Sequence, residues 1–247
     1  MDSGVAQKPI ADMTGYRAEL RARLNPTTSV LTQVYEAARA KPKRVIFAEA
    51  EEEVVLRAAI QFKQDGYGIP VLVGRDATVI QMLRDLGADP DTFEIHNSVT
   101  SNLVERMVDR LYLRLQRRGY LRRDIVRMVN RDRNIFGALL LQMDQADAMI
   151  TGVTRTFSDT MRELRRVLDP KKGQTPFGVH VMVGKSHTVF ISDTTVNERP
   201  SAEELADIAE QTAMVARRMG HTPRVAFLSY STFGNPHGNW LDNIRGA

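Results

Sequence analysis

The sequence predicts an α/β protein in which helices cover parallel sheets, and three observations carry that prediction. From residue 43 onward, short apolar runs alternate with amphipathic stretches, and glycine or another turn signal closes each one. A chain of 247 residues is long enough to bury a substantial core. Its 43% hydrophobic and 26% charged residues match the balance of ordinary globular domains.

Residues 45–48 read as a buried strand. A helix over about 51–65 presents Val54, Val55, Ala58 and Phe62 and stops at Gly66. The next strand is 70–73, after which Val79, Met82, Leu83 and Leu86 share a helical face that Gly87 closes. A short strand at 92–95 precedes a four-turn helix marked by Leu103, Val104, Met107, Val108, Leu111 and Leu115, which ends at Gly119. A helix through 136–143 leads to a strand at 148–151, and Asp169-Pro170 terminates a helix over 158–168. Alternation over 177–183, answered at 188–192 across Gly184-Lys185, reads as a hairpin. Ser201 and Glu204 form a capping box for a helix that runs to Gly220, with Leu205, Ile208, Ala209, Val215, Ala216 and Met219 along its stripe. Residues 224–229 read as a last strand. Residues 1–25 are polar, with a short helical stretch at 16–24 that Asn25-Pro26 breaks, and read as a linker; 26–147 form a first α/β lobe and 148–247 an incomplete second.

Composition removes several function classes. No run approaches the ~20 apolar residues of a membrane span, and the first 25 residues lack the basic start and apolar centre of a signal peptide. A cytoplasmic location without a membrane partner is expected. The absence of cysteine excludes disulfides, thiolate metal sites and a cysteine nucleophile. His96, His180, His187, His221 and His237 show no metal-ligand spacing, so no metal site is expected. The net charge is +4, but residues 110–133 alone hold nine arginines against two aspartates. Arg110, Arg114, Arg117 and Arg118 lie opposite the apolar stripe, with Tyr112 and Tyr120 interleaved. Such a patch suits a polyphosphate ligand, an acidic partner or a solvated helix face. Two tyrosines on a helix are not the sheet platform of a single-strand binder, so nucleic acid is not expected.

Open α/β sheets place ligands beyond the carboxyl ends of their strands. Three such ends share one chemistry: Ile150 runs into Thr151-Gly152-Val153-Thr154-Arg155, Ile191 into Ser192-Asp193-Thr194-Thr195, and Leu228 into Ser229-Tyr230-Ser231-Thr232-Phe233-Gly234. Hydroxyls, amides and an arginine suit a phosphate or carboxylate. Hydroxyl-rich turns and caps produce the same text without a ligand. Residues 178–186 are not a phosphate loop, because five residues separate the glycines and the intervening text alternates as a strand does. Glu49, Glu51, Glu52 and Glu53 are explained by the preference of acids for a helix N-terminus.

The same segments resemble the phosphate acetyltransferase/butyryltransferase family. The resemblance is carried by residues 45–59 (VIFAEAEEEVVLRAA), Phe136-Gly-Ala with 146–152 (ADAMITG), 192–197 (SDTTVN), Glu203-Glu-Leu-Ala and 223–234 (PRVAFLSYSTFG), and it covers 26–236. Residues 111–119 (LYLRLQRRG), 129–134 (VNRDRN), 151–155 (TGVTR) and Asp169-Pro-Lys171 are similar to the module fused behind the catalytic half of NADP-dependent malic enzymes. Residues 3–10 (SGVAQKPI) look like the seam with that upstream domain.

The resemblance implies a two-lobed phosphotransacetylase-like fold, C-terminally truncated, with acetyl-CoA as ligand between the lobes. Thr151, Gly152 and Arg155 are expected on one wall, Ser231, Thr232 and Gly234 on the other, and Arg131 and Arg133 toward the CoA phosphates. No catalytic residue is assigned. The family's serine-arginine pair and acidic partner lie further on than this sequence, and Asn235 stands where stand-alone acetyltransferases usually carry serine. The implied function is acetyl-CoA sensing and assembly within a malic enzyme, which oxidatively decarboxylates malate to pyruvate, with homo-oligomerisation expected. NADP and a divalent metal then belong to the malic enzyme's catalytic domain, and this segment needs no cofactor of its own. The alternatives are phosphate acetyltransferase activity, moving acetyl between CoA and phosphate, and a purely structural oligomerisation arm.

Overall fold

Apolar runs rich in valine and isoleucine build one parallel sheet from β1 (Lys43–Phe47), β2 (Gly68–Val73), β3 (Glu94–His96) and β4 (Ala148–Ile150), in the order β3-β2-β1-β4. The computed structural model describes residues 12–13, 15–17, 20, 26–184, 187–231, 235 and 237–247. Strand alternation divides the core between the two sheet faces. Ile46, Ala48, Val71 and Val73 join one cluster, and Val45, Phe47 and Leu72 join the other.

The second of these clusters is covered by α2 (Glu53–Gln64) and α3 (Asp76–Asp85). α2 buries Val55, Leu56 and Ala59, while Val54 is 72% exposed. The expected stripe through Val54 and Ala58 is thus rotated by about one residue, because the larger Leu56 and Ile60 claim the sheet. The first cluster is covered by α4 (Val104–Leu115), α5 (Arg122–Arg131), α6 (Arg133–Gln142) and α7 (Phe157–Val167). Met107, Val108, Leu111 and Leu115 on α4 are buried, as their spacing predicts. α6 reaches the sheet most closely at Gly137, where an added Cβ would lie 2.6 Å from Met149 Sδ and 3.4 Å from Ile46 Cγ2.

The chain separates into two compact units, one of residues 37–169 and one of 1–36 with 170–247. The boundary therefore falls after α7 and not at 147/148. β4 pairs with β1, which keeps residues 148–169 in the first unit. A helix the sequence reading did not place, α1 (Pro26–Ala40), begins at a proline, which is favourable in a first helical turn. The expected helical stretch at 16–24 lies largely outside the described residues.

In the other unit, β5 (Val179–Val183) and β6 (Thr188–Ser192) form the expected antiparallel hairpin. α8 (Ala202–Arg218) packs on one hairpin face, where the Ser192 and Thr212 hydroxyls meet at 2.6 Å. The capping box is present, with Ser201 Oγ accepting from the Glu204 amide and Glu204 accepting from the Ser201 amide. A short helix, α9 (Asn239–Gly246), contacts α8. Residues 224–229, expected as a strand, are unpaired with any described residue, and Val225, Phe227 and Leu228 are exposed.

Candidate functional site

β2 and β3 lie on one side of β1 and β4 on the other, so the strand order reverses between β1 and β4. Open α/β sheets bind ligands at such a switch point, at the carboxyl ends of the two strands. Glu49 follows β1 and Gly152 follows β4. Gly152 has φ 110°, a conformation that only glycine adopts without strain, and the turn it permits aims three successive amides at one point.

Glu49 occupies that point. Its carboxylate accepts from the amides of Gly152 at 2.9 Å, Val153 at 2.8 Å and Thr154 at 2.8 Å, and from the Thr154 hydroxyl. Burial acts to raise its pKa, but the Thr154 hydroxyl and the three amides outweigh burial and hold the carboxyl below its ordinary range. An internal carboxylate thus sits where the turn would hold an external anion.

Glu51 is held in a similar way. It accepts from the Arg75 amide at 2.9 Å and from Arg75 Nη2 at 2.7 Å, and it pairs with Arg133 Nη2 at 3.0 Å. Burial again opposes ionisation, and the Arg75 hydrogen bonds and the Arg133 charge overcome it.

Arg155 donates to Asp132 at 2.7 Å and to the buried Glu163. The Asp132 bond is the main reason its guanidinium is held more firmly protonated. Asp132 also caps α6, accepting from the amides of Asn134 at 3.0 Å and Ile135 at 3.1 Å. Buried Asn134 completes the network by donating to Glu163 at 2.8 Å and accepting from the Thr151 hydroxyl.

The expectation of free donors at this turn is therefore corrected. Thr151, Gly152, Arg155 and Arg133 all spend donors on internal acceptors. Arg131 forms no ion pair with a described residue. Ser231 belongs to the other unit; its amide donates to Ser229 Oγ at 3.1 Å, and its buried hydroxyl has no partner among the described residues. Thr232 and Gly234 lie outside the described residues.

Sequence reasoning assigned the glutamates after β1 to helix capping and passed over Glu163 and Asn134. An acidic residue directly after the central strand was the available signal for Glu49. Part of the arginine segment serves structure: Arg110 donates to the Gln142 carbonyl at 2.9 Å, Arg114 grips Asp169, and Arg122 pairs with Asp109 and Glu105. Among the described residues no group of three or more acids and histidines is arranged to hold a metal, and no helix is long and apolar enough to cross a membrane.

The sequence profile of the phosphate acetyl/butaryl transferase family matches residues 29–247. The chain belongs to this family. Within it, the chain is 43% identical over its whole length to an NADP-dependent malic enzyme of Rhizobium meliloti, and 39% identical to a probable NADP-dependent malic enzyme of Rickettsia prowazekii. It spans 33% of each of those proteins. A phosphate acetyltransferase of Clostridium acetobutylicum is 30% identical across 88% of this chain and 68% of its own length. Among solved structures, a phosphotransacetylase from Streptococcus pyogenes aligns with TM-score 0.79 at 28% identity, over 89% of this chain and 67% of the other. The EutD phosphotransacetylase of Staphylococcus aureus aligns with TM-score 0.76 at 25% identity, over 89% of this chain and 66% of the other. The α/β fold with a parallel sheet flanked by helices, which the strand rhythm predicts, matches these phosphotransacetylase structures.

Proposed function

We propose that this chain is the phosphotransacetylase-like regulatory and assembly module of an NADP-dependent malic enzyme, that it binds acetyl-CoA, and that it is not itself a catalyst. One observation carries the reading: identity to a malic enzyme is 43% over 100% of the chain, against 30% over 88% for a phosphate acetyltransferase. The switch-point geometry agrees with a non-catalytic role, since Glu49 fills the amide turn and Arg155 is held by two carboxylates. Acyl transfer to phosphate needs donors free to stabilise the transferring oxygens. The NADP and metal chemistry belongs, on this reading, to the malate-oxidising domain, and regulation acts on that domain.

The second reading, phosphate acetyltransferase, is favoured by the Clostridium relative, of which the chain spans 68%. Thioester formation from acetyl phosphate and CoA separates the two. The regulatory reading expects acetyl-CoA binding by calorimetry and no thioester above background, whereas steady thioester formation by the purified chain selects the enzyme.

A further inference from the structure

Where α4 ends and α5 begins, the 3₁₀ turn Gln116–Arg118 and the left-handed Gly119 reverse the chain. An open cleft of about 500 Å³ lies in this reversal, lined by Arg118, Gly119, Tyr120, Asp124, Arg127 and Met128. The malic enzyme reading makes no use of it. Asp132, which holds Arg155, follows the far end of α5, and the ten residues of α5 are about 15 Å long. The cleft runs from the start of α5 to Met128, whose carbonyl accepts from the Asp132 amide at 2.9 Å, so its far end lies about one helical turn from the network that holds Arg155.

The fold uses only part of its charge: Arg118 helps to lower the pKa of Asp169 from a distance, and the other arginines here are exposed. Arg118 and Arg127 form no ion pair with a described residue, and neither do Arg117 and Arg123. Arg122 and Arg123 open α5, where the helix dipole disfavours cations; Arg122 is offset by Asp109 at 2.5 Å and Glu105 at 3.1 Å, and Arg123 is not. An anion bound in the cleft would lower this local excess of positive charge. Two arginines lining one cleft suit phosphate oxygens, which arginine binds in bidentate fashion.

The remaining lining narrows the ligand. Tyr120 and Met128 are half-buried and pack against the core, giving the cleft an aromatic and thioether wall on which a planar ring stacks. Asp124 repels a bare anion. One of its oxygens takes the Leu121 amide at 3.2 Å, and the other is an acceptor for an exocyclic amino group.

We infer that this cleft binds a free purine nucleotide, with the phosphates on Arg118 and Arg127, the ring on Tyr120 and the amino group on Asp124. The test is calorimetric titration of the full chain with ADP, beside the double variant Arg118→Ala/Arg127→Ala, whose folding is checked by circular dichroism. Binding of ADP that weakens at least tenfold in the double variant, and that exceeds pyrophosphate binding at least tenfold, supports the inference. Arg127→Lys keeps the charge and loses the bidentate fork, so an intermediate loss is expected. No ADP binding at millimolar concentration, unchanged binding in the folded double variant, or pyrophosphate binding as tight as ADP would each overturn it. Displacement of ADP by CoA would overturn it too, by assigning the cleft to the cofactor's own nucleotide end.

Discussion

Glu49 is the residue that most constrains the switch point. Four donors converge on its carboxylate, so Glu49→Gln, which sets an amide NH₂ against amide hydrogens, should cost about 1.5–3 kcal/mol in denaturant unfolding. The sign of its pH dependence follows from its lowered pKa. Below the ordinary value of 4.5 the unfolded chain binds the proton first, so the stabilisation is complete above that pH and is lost as pH falls through the folded pKa. Glu51 acts in the same direction. The acid limb of the stability profile, below about pH 4.5, should therefore be shallower in Glu49→Gln. An unchanged acid limb would remove Glu49 from this role. Arg155→Ala leaves Glu163, with a side chain 9% exposed, without its cation, and should destabilise the chain by about 1–3 kcal/mol. Thermal unfolding checks this, and a variant as stable as the parent would show that Arg155 is free for a ligand.

Among the elements, α6 lies close against β1 and β4 at Gly137. Gly137→Val would drive branched carbons toward Met149 and Ile46, and the overpacking should cost about 1–3 kcal/mol, read as a shift in the unfolding midpoint at constant slope. Elements with strong local signals were legible in the sequence. The α4 stripe, the Ser201–Glu204 capping box and the alternating β5–β6 hairpin each follow from side-chain period or cap chemistry. Residues 224–229 have strand composition, but a strand exists only with a partner, and no local pattern supplies one. The register of α2 was missed for a related reason: Val54 and Leu56 compete for the sheet, and packing decides between them. The candidate site was half legible. Position at a strand end singled out Thr151, Gly152 and Arg155, yet their acceptors are Glu49, Asn134, Asp132 and Glu163, and Glu49 lies more than a hundred residues away from Gly152. Such long-range pairings leave no periodic trace.

For the whole molecule, apolar exposure and ligand binding decide the account. Met182, Val189 and Ile191 are at least 40% exposed on the hairpin face away from α8, and Leu228 and Tyr230 are exposed at 87% and 68%. Surfaces of this kind are usually covered by association, most often in a closed dimer. Light scattering should give a mass near twice 27.8 kDa, and Ile191→Asp should lower it; a single-chain mass at high concentration would contradict the assembly role. Acetyl-CoA sensing is the central claim, and one calorimetric titration of the purified chain with acetyl-CoA tests it most directly. The account predicts saturable binding without turnover when phosphate is present. A flat titration by the folded protein, or heat accompanied by release of CoA to form acetyl phosphate, would contradict it.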